Sequence, residues 1–338
     1  MANLITHALT YSKEDAQKYF LQPLFVGNSA LDYFEIMTGV KSSQQLDKFS
    51  TLSKITKAEA SGFTGATGVT MTQRSVAVAR MEAEVEQAGG AFWNSIKAEL
   101  LRTGNNKDDI SGTKLQSIVA DIMLRGVKRD LERQLWFGNT NAVGVGASDY
   151  TPYNGIFAQL SGLPGGQKLA IASGALGANV AQAEFDAQLV AMPSEGLENR
   201  ADLVFFATRS MCDNYRATLS ATATDSSYSA LVGGVPVLAY QGIPIVEMGL
   251  WDSVIAADGG AGTTLLAASC NNGVQDFDAH ISVLTVKNNI VVATDYDSVS
   301  GADMWYNKDQ KMNRFRFEYV IGTNFKNTEL TVVSDSNS

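Results

Sequence analysis

Residues 46–88 set the tightest limit on what this chain can fold into. The run Phe49-Ser-Thr-Leu-Ser-Lys54-Ile-Thr56 is rich in β-branched and hydroxyl residues. Leu46, Phe49, Leu52 and Ile55 recur every three positions, which fits neither a clean strand nor a clean helix, so composition decides for strand. Gly62, Phe63, Gly65 and Gly68 then form a glycine-rich stretch that reads as a flexible loop tip. Beyond it, Val69-Thr-Met71-Thr and Val76-Ala-Val78-Ala alternate with period two, as a strand does. Together these features predict one long β-hairpin with few large apolar side chains on either face. A two-stranded ribbon of that kind is at best marginally stable in water. It is therefore expected to lie on another surface, and that points outside the single subunit.

Residues 1–30 point the same way. They form a mixed polar and aromatic arm containing His7, Tyr11, Tyr19, Phe20, Leu24 and Phe25, interrupted by Pro23 and Gly27. Such an arm is expected to pack on the body or on a neighbouring subunit. A short helix is predicted at Leu31–Met37 and an amphipathic one over residues 91–103.

The strongest helical pattern spans Thr113–Phe137. Leu115, Ile118, Val119, Ile122, Val127, Leu131 and Leu135 make an apolar stripe at three- and four-residue steps. Gly138-Asn139 stops it. After a loop-rich stretch to residue 180, a helix is expected at about 182–192. The continuously apolar Leu203-Val-Phe-Phe206 follows as a strand buried on both faces. A helix opened by Thr208 or Ser210 comes next, then strands Val235–Leu238 and Ile243–Val246. Strands Ile281–Val286 and Ile290–Ala293 flank Lys-Asn-Asn, which reads as a hairpin turn. Arg314–Val320 alternates strictly, and Thr328–Val333 closes the core. Helices and strands are interspersed without a regular βα repeat, an α+β pattern.

The 338 residues carry a net charge of −9 and only 18% charged side chains, against 45% hydrophobic ones. The acidic balance argues against a dedicated nucleic-acid binder but allows a protein that merely encloses nucleic acid. The low charge density suits extensive subunit contacts. The run of Glu82, Glu84 and Glu86 places three carboxylates on one side of a strand, where they repel unless solvated or paired. One reading is a solvated face. A sharper one is an ion-pair strip between subunits, matched to Lys48, Lys54 and Lys57 or to a neighbour's arginines. The basic runs 125–133, with Arg129 and Arg133, and 308–316 read either as a solvated helix face and a strand end or as surfaces turned to nucleic acid.

Nothing in the sequence assembles a catalytic constellation. His7 and His280 have no partner pattern, and Cys212 and Cys270 lack metal or disulfide spacing. No nucleophile-elbow, zinc-helix or phosphate-loop motif occurs. No apolar run reaches the ~18 residues needed to cross a bilayer. No enzyme activity, cofactor, metal or membrane partner is expected.

The order of elements, from arm to long hairpin, long helix and apolar sheet, resembles the HK97-type major capsid protein of tailed bacteriophages. The wording closest to that family runs from Asn199-Arg-Ala-Asp-Leu to Gly242-Ile-Pro-Ile-Val246. The resemblance implies an N-terminal arm (1–30), an E-loop hairpin region (31–90), a peripheral domain with spine helix 113–137 (91–180), an axial domain (181–275) and return strands to the peripheral domain (276–338). It implies assembly into hexamers and pentamers of an icosahedral shell enclosing dsDNA in a virion, built in the host cytoplasm. Phe20, Phe25, Lys54, Lys57, Gly62, Phe63, Gly65, Gly68, Glu82, Glu84, Glu86, Arg129 and Arg133 become the candidate assembly residues. With about 30 residues before the body, it further implies a separate scaffold protein or an already mature form, with portal and decoration proteins as further partners. Some members of the family form lysine–asparagine crosslinks; none is expected here. An encapsulin-like compartment shell is the nearest alternative. Tail, pilus or surface-layer subunits, and an enzyme with an unrecognised carboxylate site, are the more distant ones.

Overall fold

The computed structural model of the protein describes residues 30–49, 71–88, 108–111, 114–142, 147–160, 162–171, 176–198, 200–221, 230–232, 235–258, 280–295 and 301–335. The arm before Ala30, the loop tip 61–68, the 91–103 segment and Cys270 lie outside these residues.

The described strands are β1 (Glu35–Met37), β2 (Ser43–Phe49), β3 (Met71–Ala77), β4 (Ala79–Ala88), β5 (Lys168–Ala170), β6 (Leu203–Ala207), β7 (Ala230–Val232), β8 (Val235–Tyr240), β9 (Ile243–Glu247), β10 (Ser282–Val286), β11 (Ile290–Thr294), β12 (Gly301–Asn307), β13 (Met312–Phe325) and β14 (Thr331–Asp335). The main helices are α1 (Lys114–Phe137), α2 (Ile156–Leu160), α3 (Val180–Ala191), α4 (Arg209–Ala221) and α5 (Gly249–Asp258).

Strand β6 shows how the body is layered. All five of its residues are buried. Leu203, Phe205 and Ala207 point into a core with Phe185 of α3 and Met211, Cys212 and Tyr215 of α4. Val204 and Phe206 point the other way, into a core with α1 and α5. Period-two alternation within one apolar run thus serves two cores, as the sequence led us to expect. Around β6 runs a mixed seven-stranded sheet, in the order β5-β14-β10-β6-β9-β8-β7. The β8–β9 hairpin turns at Gln241 and Gly242, both at positive φ (48° and 84°), as a two-residue hairpin turn requires.

Helix α1 has 24 residues and is about 36 Å long at 1.5 Å per residue. Val119, Met123, Val127 and Leu135 bury its stripe. Its C-terminal end enters an aromatic cluster: the Trp136 ring lies 4.6 Å from Trp251, 5.4 Å from Phe206 and 5.8 Å from Phe34. Gly138 closes the helix, its N–H donating to Gln134 O at 2.8 Å. A Cβ on Gly138 would stand 2.6 Å from Tyr153 O, so the loop over residues 150–155 can pack backbone to backbone there only because the residue is glycine.

The second sheet has the order β1-β11-β13-β12, with β4 also paired to β13. β13 is its spine. Phe315, Phe317 and Tyr319 face the core, while Arg314, Arg316 and Glu318 face out.

Four expectations need correction. Residues 31–37 are a single 3-10 turn followed by β1, because Glu35–Met37 pairs in parallel with Val291–Ala293. Lys287-Asn-Asn289 does not turn a hairpin: β10 belongs to the seven-stranded sheet and β11 to the other. Asn289 is the reason. It is buried, its Nδ2 donates to Asn327 O at 2.9 Å, and its Oδ1 accepts from Asn327 N at 2.9 Å. The two connections that change sheets, 286–290 and 326–330, are bonded side by side there. For the same reason the return segment divides between sheets, with β13 in one and β14 in the other. Finally, among the described residues Ser43–Phe49 and Met71–Ala77 pair as a hairpin ladder, whereas Ala79–Ala88 leave it to pair with β13. Helix α5 and strand β12 were not anticipated.

Candidate assembly surface

The described part of the hairpin is a ladder of seven residue pairs, from Ser43–Ala77 to Phe49–Met71. Its two faces differ. On the inner face Leu46 and Val76 are buried against Val40, Val291 and Ala293, a satellite core separate from the two main ones. On the same face, Arg74 opposite Leu46 donates to Thr328 Oγ1 at 2.9 Å, and further along Lys48 Nζ reaches Glu329 Oε2 at 2.7 Å. On the outer face Ser43, Gln45, Asp47, Met71, Gln73, Ser75 and Ala77 are all exposed. Among the described side chains, apolar contact with the body therefore ends at Leu46, while pairing continues to Phe49 and Met71.

Where the ladder meets the body, β3 crosses the face of β13 at Gly322. A Cβ there would collide with the Ala77 carbonyl oxygen and stand 3.0 Å from Val78 Cα. Asn324 Nδ2 donates to Ser75 O at 2.7 Å beside the crossing. The hairpin's departure from the body is thus set by one close backbone approach, two apolar pegs and a few polar contacts.

The Glu82–Glu84–Glu86 face is paired, and its partners lie within the chain. Arg314 Nε holds Glu86 Oε1 at 2.6 Å. Arg316 serves three carboxylates: Glu82 at 2.9 Å, Glu84 at 3.4 Å and Glu318 at 2.7 Å. These four glutamates are consequently not matched to Lys48, which binds Glu329. Lys54 and Lys57 lie outside the described residues, as do Phe20, Phe25, Gly62, Phe63, Gly65 and Gly68. Beneath the charged strip, Ala79, Met81, Ala83 and Val85 pack on the main core, so β4 alternates between the two environments.

Of the helix α1 candidates, Arg129 is exposed and reaches Ser253 Oγ at 3.4 Å. Arg133 pairs with Asp130 at 3.1 Å and stacks 5.3 Å above the Tyr150 ring. Sequence reasoning missed Arg314 and Arg316 as partners of the glutamates.

A groove of about 700 Å³ lies beside the strip, lined by Lys41, Arg80, Glu82, Asp295, Arg316 and Glu318 among others. Two of its carboxylates are held by Arg316, so they are charge partners and not free bases. His280 Nδ1 lies 2.9 Å from Ser210 Oγ, tying the entry of β10 to the start of α4. The Cys212 thiol is pushed up to about 12, chiefly by burial and then by Glu247 nearby, which keeps it an unreactive thiol. Among the described residues no three His, Cys, Asp or Glu side chains stand together as a metal site. No helix among them is long and apolar enough to cross a membrane.

No protein-family model matches the sequence, and no curated protein matches it. Solved structures do match. The capsid of a native GTA particle superposes with a TM-score of 0.59 at 10% identity, covering 98% of this chain and 95% of that one. The satellite phage P4 procapsid, determined with its size determination (Sid) protein, gives 0.58 at 8% identity, covering 98% and 92%. The holo-SrpI encapsulin complex of Synechococcus elongatus gives 0.51 at 9% identity, covering 97% and 96%. At such identities the likeness concerns the fold. The chain has an α+β fold resembling that of these capsid and encapsulin shell proteins.

Proposed function

We propose that this protein is a major capsid protein, a non-enzymatic subunit that assembles into hexamers and pentamers of an icosahedral shell enclosing dsDNA in a virion. The observation that carries this reading is the hairpin ladder. Its strands stay paired beyond Leu46, where apolar contact with the body ends among the described side chains, and Ser43, Gln45, Asp47, Met71, Gln73, Ser75 and Ala77 on its outer face are exposed. A ribbon in that condition gains most of its stability from a second surface, and the neighbouring subunit is the surface present in every copy.

In this reading the hairpin is the E-loop, α1 the spine helix, and the β6 layer with α3 and α4 the axial domain. Each subunit makes head-to-tail contacts that close by rotation into rings. A single contact can be weak, because many per subunit act together at high effective concentration. The hairpin candidates Lys54, Lys57, Gly62, Phe63, Gly65 and Gly68 and the arm residues Phe20 and Phe25 would meet neighbouring subunits. Glu82, Glu84 and Glu86 would act as a paired strip, and Arg129 and Arg133 as a helix face. A scaffold, a portal and decoration proteins are the further partners expected, with assembly in the host cytoplasm.

The likeness to an encapsulin supports a second reading, a compartment shell loaded with cargo enzyme. Negative-stain microscopy of the purified protein tests both. Closed particles of uniform size are expected. Tubes, sheets or dispersed monomers at high concentration would overturn the shell reading, and particles copurifying with a stoichiometric enzyme would select the compartment.

A further inference from the structure

We infer that the outer face of the β4–β13–β12 ribbon is a contact between two copies of this chain, laid antiparallel about a two-fold axis near Trp305. The inference rests on the shell reading and names one of the contacts such a shell would need.

Trp305 is 42% exposed, whereas Trp136 and Trp251 are fully buried. It sits on a solvent face with no apolar neighbour in its cross-strand row: its partner across the ladder is Arg314, and Glu86 follows on β4. Tryptophan and arginine side by side are the residue types that anchor protein interfaces.

Charge along the ribbon says what the anchor faces. Toward the base, Glu82, Glu84 and Glu318 share the single guanidinium of Arg316, and Asp303 stands opposite Arg316 on β12. One cation for that many carboxylates leaves an acidic excess, bounded farther on by Arg80 and Lys41 in the groove. Toward the tip, Lys308 and Lys311 are exposed and make no ion pair among the described residues; Asp309 lies between them. The ribbon is therefore acidic at the base and basic at the tip.

The Trp305–Arg314 row divides these regions nearly evenly. Lys308 and Lys311 are three residues away and Glu318 is four, which at ~3.3 Å per residue is about 10 Å and about 13 Å. A two-fold axis through the row brings the lysines of each copy over the carboxylates of the other, and the two indoles together at the centre. That is a self-complementary contact of the isologous kind. Nucleic acid is a poor occupant of the same face, because the glutamates would repel its phosphates.

The test uses full-length protein under conditions where the wild type forms particles. In oxidised Lys308→Cys/Glu318→Cys particles a disulfide-linked dimer is expected. Within one chain those positions are about 23 Å apart along the ribbon, far beyond the ~7 Å Cα separation a disulfide spans, so any such bond joins two copies. The two single-cysteine variants give the background from Cys212 and Cys270. Lys308→Glu/Lys311→Glu and Trp305→Ala should each lower the assembled fraction at least tenfold, with the circular dichroism and melting temperature of the monomer unchanged. Absence of the dimer band from intact particles overturns the contact, as does wild-type assembly by the charge-reversed variant; in both cases the shell reading stands. A wild-type protein that never assembles removes the shell reading and this contact with it.

Discussion

Strands β6 and β2 solve the same problem in opposite ways. β6 places five residues in a sheet and buries every one, alternately into two cores. β2 places seven residues in a sheet, and of the six whose burial is described only Leu46 is buried. β6 is laddered on both edges and β2 on one, by β3, and they differ as much in what covers their side chains. At roughly 25 cal/mol per Å² of apolar surface, β6 contributes stability its own chain collects, whereas the described outer-face residues of β2, Ser43, Gln45 and Asp47, are exposed and polar and contribute almost none. In the proposed reading the body folds alone and the hairpin finishes its packing on a neighbouring subunit. Substitutions in the two regions should therefore separate cleanly: core changes should act on folding and hairpin changes on assembly.

The largest expected effect is on the β6 side. Phe206 is fully buried and its ring lies 5.4 Å from Trp136 and 5.6 Å from Phe34. Phe206→Ala should cost about 4 kcal/mol through lost burial and the cavity left behind, a large part of the ~5–15 kcal/mol that holds a typical domain folded. Urea unfolding would show it as a lower midpoint with an unchanged slope. A loss below about 1 kcal/mol would mean the aromatic cluster is not the centre of the body, and the contrast with β2 would weaken.

A smaller effect comes from one substitution made at two glycines. Gly322→Ala inserts a methyl group where β3 crosses β13, against the Ala77 carbonyl. Overpacking of this kind costs about 1–3 kcal/mol, and the hairpin base can relieve it by lifting away. We expect a small change in the unfolding of the body but a marked loss of particles. Gly126→Ala, with nothing within 4 Å of the new methyl group and a position inside α1, should instead stabilise by about 1 kcal/mol and leave assembly intact. Equal effects of the two on particle yield would show that the crossing does not set the hairpin's path.

This contrast was partly legible in the sequence. Leu203–Phe206 announced burial on both faces because no polar residue interrupts it, and α1 announced itself through its stripe. The sparse apolar content of 46–88 announced a hairpin, of which the ladder between Ser43–Phe49 and Met71–Ala77 is present and Ala79–Ala88 pairs with β13 instead. What could not be read were choices made by distant residues. Glu82 and Glu86 sit 234 and 228 positions from Arg316 and Arg314, so their pairing depends on the register of β4 against β13. Lys287-Asn-Asn289 has hairpin-turn composition, yet Asn289 is bonded to Asn327, and that bond sends the two flanking strands to different sheets. Strand β12 carries Asp303, Trp305 and Asn307 on its outer side, a pattern that makes sense only beside β13. Helix α5 was readable: Trp251, Val254 and Ile255 fall at helical spacing.

The smallest effect expected tests whether the body can be tuned without touching the hairpin. Burial raises the Glu132 carboxyl on α1 to about 6, with Lys128 opposing the shift. Its pKa is thus higher folded than unfolded, so the native state binds the proton more tightly. Between about pH 4.5 and 6 the unfolded chain holds fewer protons than the native one, and stability falls as pH rises. Above pH 6 the cost is constant. Glu132→Gln removes the charge, so it should stabilise the protein at pH 7 and flatten that part of the pH profile. The group is partly open to solvent, which screens the effect to about 1 kcal/mol or less. Thermal melts of both proteins at pH 4.5 and pH 7 measure it, the difference between them growing toward pH 7. Particle yield at pH 7 should not change, since the substitution lies on the long helix and leaves the ladder, the Gly322 crossing and the Arg316 cluster as they are. A fall in yield with unchanged melting would place this stretch of α1 in a subunit contact, and the division between a self-sufficient body and a dependent hairpin would have to be redrawn along the helix.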